Sequence, residues 1–256
     1  MPALFVSALT YGGLALVVAG AASLLRPLRF LRIRTRRVGL GLVAVGMSLV
    51  STGAWWPWPE LRASGSSRLD DFVPSFQFVE LHETRVRATP EAVYRAIRAV
   101  RADEIRAFRT LTWIRSPRLP GRQSPESIMN AGQDPLLDVS TRSGFIWLAD
   151  EPGREAVVGT IVCCPGPRPR SPEEFRDLTQ AGLAKAGMNF RVEDLGGGEC
   201  RVTTETRVFA TDRGVKRRFG LYWAFIYPGS SLIRHGWLAA IRKRAEAEGT
   251  GAGATA

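Results

Sequence analysis

Acidic side chains are missing from the start of this chain: all 24 Asp and Glu residues of the 256 fall at or after Glu60. Histidine is nearly absent, represented by His82 and His235, and cysteine is sparse, with Cys163, Cys164 and Cys200. Three cysteines exclude a disulfide framework, and the neighbours Cys163 and Cys164 are badly placed to bond to each other. One of them could pair with Cys200 in an oxidising compartment, but plain buried thiols are the expected state. No Cys/His spacing makes a zinc site, and no Gly-rich phosphate loop or nucleophile elbow stands out, so neither metal nor cofactor is expected. No internal repeat occurs, and the one low-complexity stretch is the Gly/Ala/Thr tail.

What the first sixty residues do contain is two apolar runs, Ala3 to Leu25 and Val38 to Trp56, neither with an Asp, Glu, Lys or Arg. Each is close to the roughly 20 residues a helix needs to cross a hydrocarbon core about 30 Å thick. A cleaved secretory signal needs a basic leading segment, and Met1-Pro2-Ala3-Leu4-Phe5 carries no basic side chain. The runs therefore read as retained transmembrane helices at 3–25 and 38–56. Small residues recur at helical spacing in both, as Ala15, Ala19 and Ala22 and as Gly39, Gly46 and Gly53. Such residues permit close packing as a hairpin, although Gly and Ala are common in membrane helices anyway. Between the runs lie Arg26, Arg29, Arg32, Arg34, Arg36 and Arg37. Basic residues next to spans are held in the cytoplasm, which makes the protein a multi-pass cell-membrane protein with a cytoplasmic connector and its C-terminal domain on the outer face. Trp55, Trp56 and Trp58 suit the aromatic belt at that outer interface.

The net charge of +11 invites comparison with a nucleic-acid binder, yet the connector holds six of the 35 basic residues. The other 29 set against 24 acidic residues leave +5, interspersed rather than clustered, so nucleic acid is not an expected partner. The basic groups Lys216-Arg217-Arg218 and Arg242-Lys243-Arg244 could touch anionic headgroups, but they read first as solvated helix faces.

Residues 59–75, with Pro59, Gly65 and several Ser, read as a linker, and 76–248 as one α+β domain followed by a disordered tail at 249–256. A strand over 76–88 leads to Thr89-Pro90-Glu91, a capping hydroxyl, first-turn proline and acidic residue that open a helix. A second short helix is expected over 102–108, a strand over 111–114 and a long irregular excursion over 116–133. Runs at 144–149 and 155–163 form a hairpin around Glu151-Pro152-Gly153-Arg154, a type II turn by its Pro then Gly. A second Pro-rich loop at 165–172 precedes runs at 184–195 and 199–210, which form another hairpin around Gly196-Gly197-Gly198. A helix over 212–227 is interrupted by Pro228-Gly229 and resumes over 231–248.

Three stretches resemble the helix-grip fold of the START, Bet v 1-like and polyketide cyclase (SRPBCC) superfamily. They are His82-Glu83-Thr84-Arg85-Val86-Arg87-Ala88-Thr89-Pro90-Glu91-Ala92-Val93-Tyr94, the paired runs around 189–192 and 203–208, and the segment from Asp212 onward. The resemblance covers about residues 76 to 247. It implies a curved antiparallel sheet wrapped on a long C-terminal helix, with a cavity for an apolar or amphipathic small molecule. It implies no single activity, since carriers, cyclases and partner-binding proteins share the fold. The two membrane helices lie outside it.

Phe219 to Tyr227 is apolar on every side of a helix. A helix packed on one side shows a polar opposite face, so this stretch packs a core, lines a cavity through Phe219, Trp223 and Ile226, touches the membrane or meets another subunit. His82, with Glu80 and Thr84 two residues either side, is a further cavity candidate. Glu205 and Arg207 share a strand face with Thr203 and form either a cross-strand network or a ligand contact. The leading expectation is a membrane-anchored binding protein that holds a lipid-like or other hydrophobic molecule, with no convincing catalytic set in the sequence. The alternatives are a cyclase- or hydratase-like enzyme using His82 with Tyr94, Glu205 or Arg207, and a scaffold domain.

Overall fold

The computed structural model describes residues 2–25, 35–115, 132–162 and 169–252. Helices α1 (Pro2–Leu25) and α2 (Arg36–Ala54) come first, then the short strands β1 (Leu61–Arg62) and β2 (Ser75–Phe76) with a 3-10 turn at Arg68–Asp71 between them. Strand β3 (Phe78–Val86) leads into α3 (Pro90–Ala99), a 3-10 turn at Ala102–Glu104, α4 (Phe108–Arg115) and α5 (Leu136–Arg142). Strands β4 (Ile146–Glu151) and β5 (Glu155–Val162), helix α6 (Pro172–Asp177), strands β6 (Ala184–Gly196) and β7 (Glu199–Ala210) and helix α7 (Arg213–Ala252) complete an α+β chain. Two compact units result: Met1–Trp58 with Arg217–Pro228, and Pro59–Lys216 with Gly229–Ala256.

In the first unit α1 and α2 are both long and apolar enough to cross a membrane. They pack antiparallel through glycine. A Cβ on Gly13 would fall 2.7 Å from the Gly46 carbonyl oxygen, and one on Gly20 2.6 Å from that of Gly39. Gly39, Gly46 and Gly53 all lie buried in this seam, as their spacing suggests. On α1 the seam is made by Gly13 and Gly20 with Val6, Thr10 and Ser23, not by Ala15, Ala19 and Ala22, of which Ala15 is exposed. Residues 217–228 of α7 belong to the same unit and are tied to α1 by the Ser7 hydroxyl, which donates to the Ala224 carbonyl at 2.7 Å.

That tie explains why α7 runs on through Pro228 where the sequence predicts a break. A helical proline leaves the carbonyl four residues back without its N–H donor, and for Pro228 that carbonyl is Ala224. The Ser7 hydroxyl supplies the missing donor, and the Tyr11 phenol donates to the next carbonyl, that of Phe225, at 2.7 Å.

The second unit is built on an antiparallel sheet of order β3-β7-β6-β5-β4. One face packs Val86, Val158, Phe190 and Val202 against Val93 and Ile97 of α3, Leu136 and Leu137 of α5 and Ile233, Trp237 and Ile241 of α7. The other face is covered by the stretch read as a linker. Leu69, Phe72, Val73 and Phe76 join Val157, Leu148 and Phe175 in a second core. Burying a large apolar side chain contributes roughly 1.5–3 kcal/mol, enough for a few such residues to fasten a stretch otherwise rich in Ser and charged residues. The sheet makes room by pairing Gly159 with Gly187, where any Cβ would meet Phe175 and Leu148, or Leu69 and Val73, at under 3 Å.

Other elements differ locally. Residues 111–114 are helical, not a strand, and α5 and α6 form after the two Pro-rich loops, in stretches where the sequence predicts no element. Helix α7 extends to Ala252, past the expected start of the tail. The greater part of the 116–133 excursion, Cys163, Cys164, Arg26 to Arg34 and residues 253–256 lie outside the described residues. The Thr89 cap, which accepts from the Ala92 N–H at 3.4 Å, and the β4–β5 turn with Gly153 at φ +76° form as the sequence indicates.

Candidate functional site

Strand β3 sends alternate side chains to opposite faces of the sheet, and the set Glu80, His82, Thr84 and Val86 shares the face covered by α7. From that helix Ser230, Arg234 and Trp237 recur at spacings of four and three, which puts them on one stripe. The two sets meet. The Ser230 hydroxyl donates to Glu80 Oε2 at 2.7 Å, and His82 Nε2 lies 2.8 Å from Glu80 Oε1. The His82 ring packs edge-on against His235, with 4.3 Å between centroids. Both histidines of the chain, 153 residues apart in sequence, are therefore in ring contact.

A carbonyl oxygen can only accept, so His235 Nδ1, at 2.8 Å from the Ser231 carbonyl, carries a hydrogen. In the neutral form of that ring Nε2 is the acceptor. An ionised Glu80 likewise requires a hydrogen on His82 Nε2. Glu80 is 2 % exposed, whereas His235 is exposed, so the chain Glu80–His82–His235 runs from the interior to the surface. Beside it Arg234 Nη2 donates to Thr206 Oγ1 at 2.8 Å and Nη1 touches Met188 Sδ. Trp237 packs its ring 4.9 Å from that of Phe190.

Glu205 and Arg207 do not converge on this cluster. The residue opposite Glu80 on β7 is Thr206, so its neighbours in sequence point to the other face. There Arg207 holds Glu205 with Nε at 2.6 Å and Nη2 at 2.9 Å, donates Nη1 to Asp70 at 2.5 Å and lies 4.8 Å over the Phe76 ring. Burial works against the guanidinium charge, but the Glu205 and Asp70 carboxylates outweigh it and raise the Arg207 pKa above its ordinary value. Next to it Glu155 accepts from the Ser67 hydroxyl (2.7 Å), the Arg68 N–H (3.0 Å) and Asn189 Nδ2 (2.7 Å). These interactions clamp residues 67–70 to the sheet beneath an open polar groove of about 370 Å³ lined by Arg62, Ser66, Asn189, Arg191 and Thr203.

Tyr94 is also separate, donating its phenol to Asp150, which is paired with Arg98 at 2.7 Å. Phe219, Trp223 and Ile226 are buried in the unit of α1 and α2, with the Phe219 and Trp223 rings stacked at 5.7 Å. Cys200 is a free, buried thiol that donates to the Ala88 carbonyl, and burial pushes its pKa up. Among the described residues no three His, Cys, Asp or Glu side chains are arranged to hold a metal ion.

The sequence singled out Glu80, His82 and Thr84 but not Ser230, Arg234 and His235. The i, i+4 repeat of Ser230 and Arg234 within an otherwise apolar helix face was the available signal. No protein-family model matches the chain, and no curated protein matches it in sequence.

Proposed function

We propose that this chain is a membrane-anchored helix-grip protein that binds a hydrophobic small molecule, with Glu80, His82, Arg234 and His235 meeting the ligand's polar end. Helices α1 and α2 form the anchor. Support for the anchor comes from their length and from the many large apolar side chains they leave uncovered, among them Leu4, Phe5, Val18, Leu40, Val45 and Met47. Support for the helix-grip assignment comes from the element order, the β3-β7-β6-β5-β4 sheet and the closing helix whose Ile233, Trp237 and Ile241 pack on one sheet face.

The observation that carries the binding reading is the buried polar cluster on the helix-covered face. Buried polar groups cost free energy unless paired, and a buried carboxylate hydrogen-bonded to one histidine whose ring touches a second, exposed one is more than packing requires. A second reading, acid–base catalysis on a bound substrate, draws on one observation: Glu80 lies within hydrogen-bond reach of His82, whose ring touches the exposed His235. A carboxylate that orients an imidazole is the pairing a histidine general base uses.

The test is native mass spectrometry of the full chain extracted from its expression membrane, followed by organic extraction of anything bound. A discrete co-purifying lipid or hydrophobic metabolite, diminished in the Arg234→Ala variant, is the expected result. A chain that flies bare and takes up no fluorescent apolar probe overturns the binding reading.

A further inference from the structure

We propose that residues 217–228 of α7 are a third lipid-contacting segment of the anchor, with Leu221 and Phe225 facing the hydrocarbon and Arg217 and Arg218 at headgroup level. This inference rests on the reading of α1 and α2 as membrane helices.

Within this stretch Phe219, Gly220, Trp223, Ala224 and Ile226 are buried. Leu221 and Phe225, one helical turn apart, are 44 % and 40 % exposed, an apolar stripe that the described residues cover only in part. The stripe continues onto α1. The Phe225 ring stacks on Tyr11 at 5.7 Å, and Tyr11 and Leu14 are themselves exposed. A bilayer that covers α1 therefore meets Phe225 on the same surface.

The carbonyls freed or loosened by Pro228 give an independent argument. Ala224 is buried, so its carbonyl needs a protein donor in any solvent, whereas the carbonyl of the exposed Phe225 would be hydrated in water. In hydrocarbon every backbone polar group must find its partner inside the protein. Here both the Ala224 and the Phe225 carbonyls receive side-chain hydroxyls from α1, at 2.7 Å each. The charges also stop where a membrane surface would put them. Lys216, Arg217 and Arg218 immediately precede fifteen residues without charge, 219–233, and the Arg217 guanidinium lies 4.2 Å over the ring of Trp55, which is 68 % exposed. A cation stacked on an interfacial Trp suits the headgroup layer.

The experiment places photoreactive benzoylphenylalanine at Leu221 or Phe225 of the full chain, in vesicles of phosphatidylcholine and phosphatidylglycerol carrying a radiolabelled phospholipid. Val18, 67 % exposed on α1, is the anchor control, and Leu81, 61 % exposed on β3, is the control in the other unit. The expected result is lipid label at 18, 221 and 225 clearly above that at 81, since side chains at the acyl boundary meet lipid. Label at 18 with none at 221 and 225, or crosslinks from 221 and 225 to a second chain, overturns the inference while the anchor stands. Absence of label at 18 overturns the anchor reading itself.

Discussion

At the scale of single residues the interior of the sheet unit is governed by a few buried charges and the donors that satisfy them. Glu80 is held by the Ser230 hydroxyl and His82. Removing one donor from a buried acceptor costs about 1–3 kcal/mol, so Ser230→Ala is expected to lower stability by that order in denaturant unfolding of the detergent-solubilised chain. In a Glu80→Gln background the same substitution is expected to cost less, because no charge is left stranded, and equal costs in both backgrounds would refute the assignment. Tyr94 gives a pH signature. Burial, and then its hydrogen bond to Asp150, raise the phenol pKa above 10.0 in the folded state. The unfolded chain loses that proton first, so the stabilisation is complete below about pH 10 and declines as pH rises further. Thermal melts over the alkaline range are expected to show a downward slope that is shallower in Tyr94→Phe.

At the scale of elements, contact distance decides which glycines matter. A Cβ on Gly46 would sit 2.6 Å from the Gly13 carbonyl oxygen, whereas one on Gly41, five residues away on the same helix, meets nothing within 4 Å. Gly46→Ala is expected to weaken the α1–α2 pair by about 1–3 kcal/mol, as overpacking does, and Gly41→Ala to leave it intact. Protease resistance of the two variants in micelles reads the difference. Elements with strong local signals were legible from sequence: β6 and β7 from two long strand runs around three consecutive glycines, α3 from Thr89-Pro90, the helix seam from Gly39, Gly46 and Gly53. Residues 111–114 were not, because a four-residue apolar run has no period long enough to separate strand from helix. Continuity of α7 through Pro228 was not legible either, since the hydroxyls that make it tolerable sit on Ser7 and Tyr11, more than 200 positions away. The candidate site was half legible for a similar reason. Alternation groups Glu80, His82 and Thr84, but whether Glu205 or Thr206 joins them depends on a register that only the paired strands define.

At the scale of the whole molecule, sidedness is the proposal to test. A cytoplasmic Arg-rich connector between two membrane helices would put the sheet unit on the outer face. Protease added to intact cells is expected to digest the sheet unit and to reach the connector only after permeabilisation, and a protected sheet unit would reverse the orientation. The strand order carries a consequence for synthesis as well. Strand β3 has one neighbour, β7, and Phe78 pairs with Val208. A ribosome adding about 5–20 residues per second leaves β3 unpaired on both edges for roughly ten seconds before β7 exists. During that wait an unpaired strand opening on Phe78, Val79 and Leu81 could recruit the same strand from a neighbouring nascent chain. Glu80, Glu83 and Arg85, dispersed along β3, make such self-pairing unfavourable, so the charge that must be satisfied inside the finished sheet also guards the strand while the rest of the sheet is still being translated.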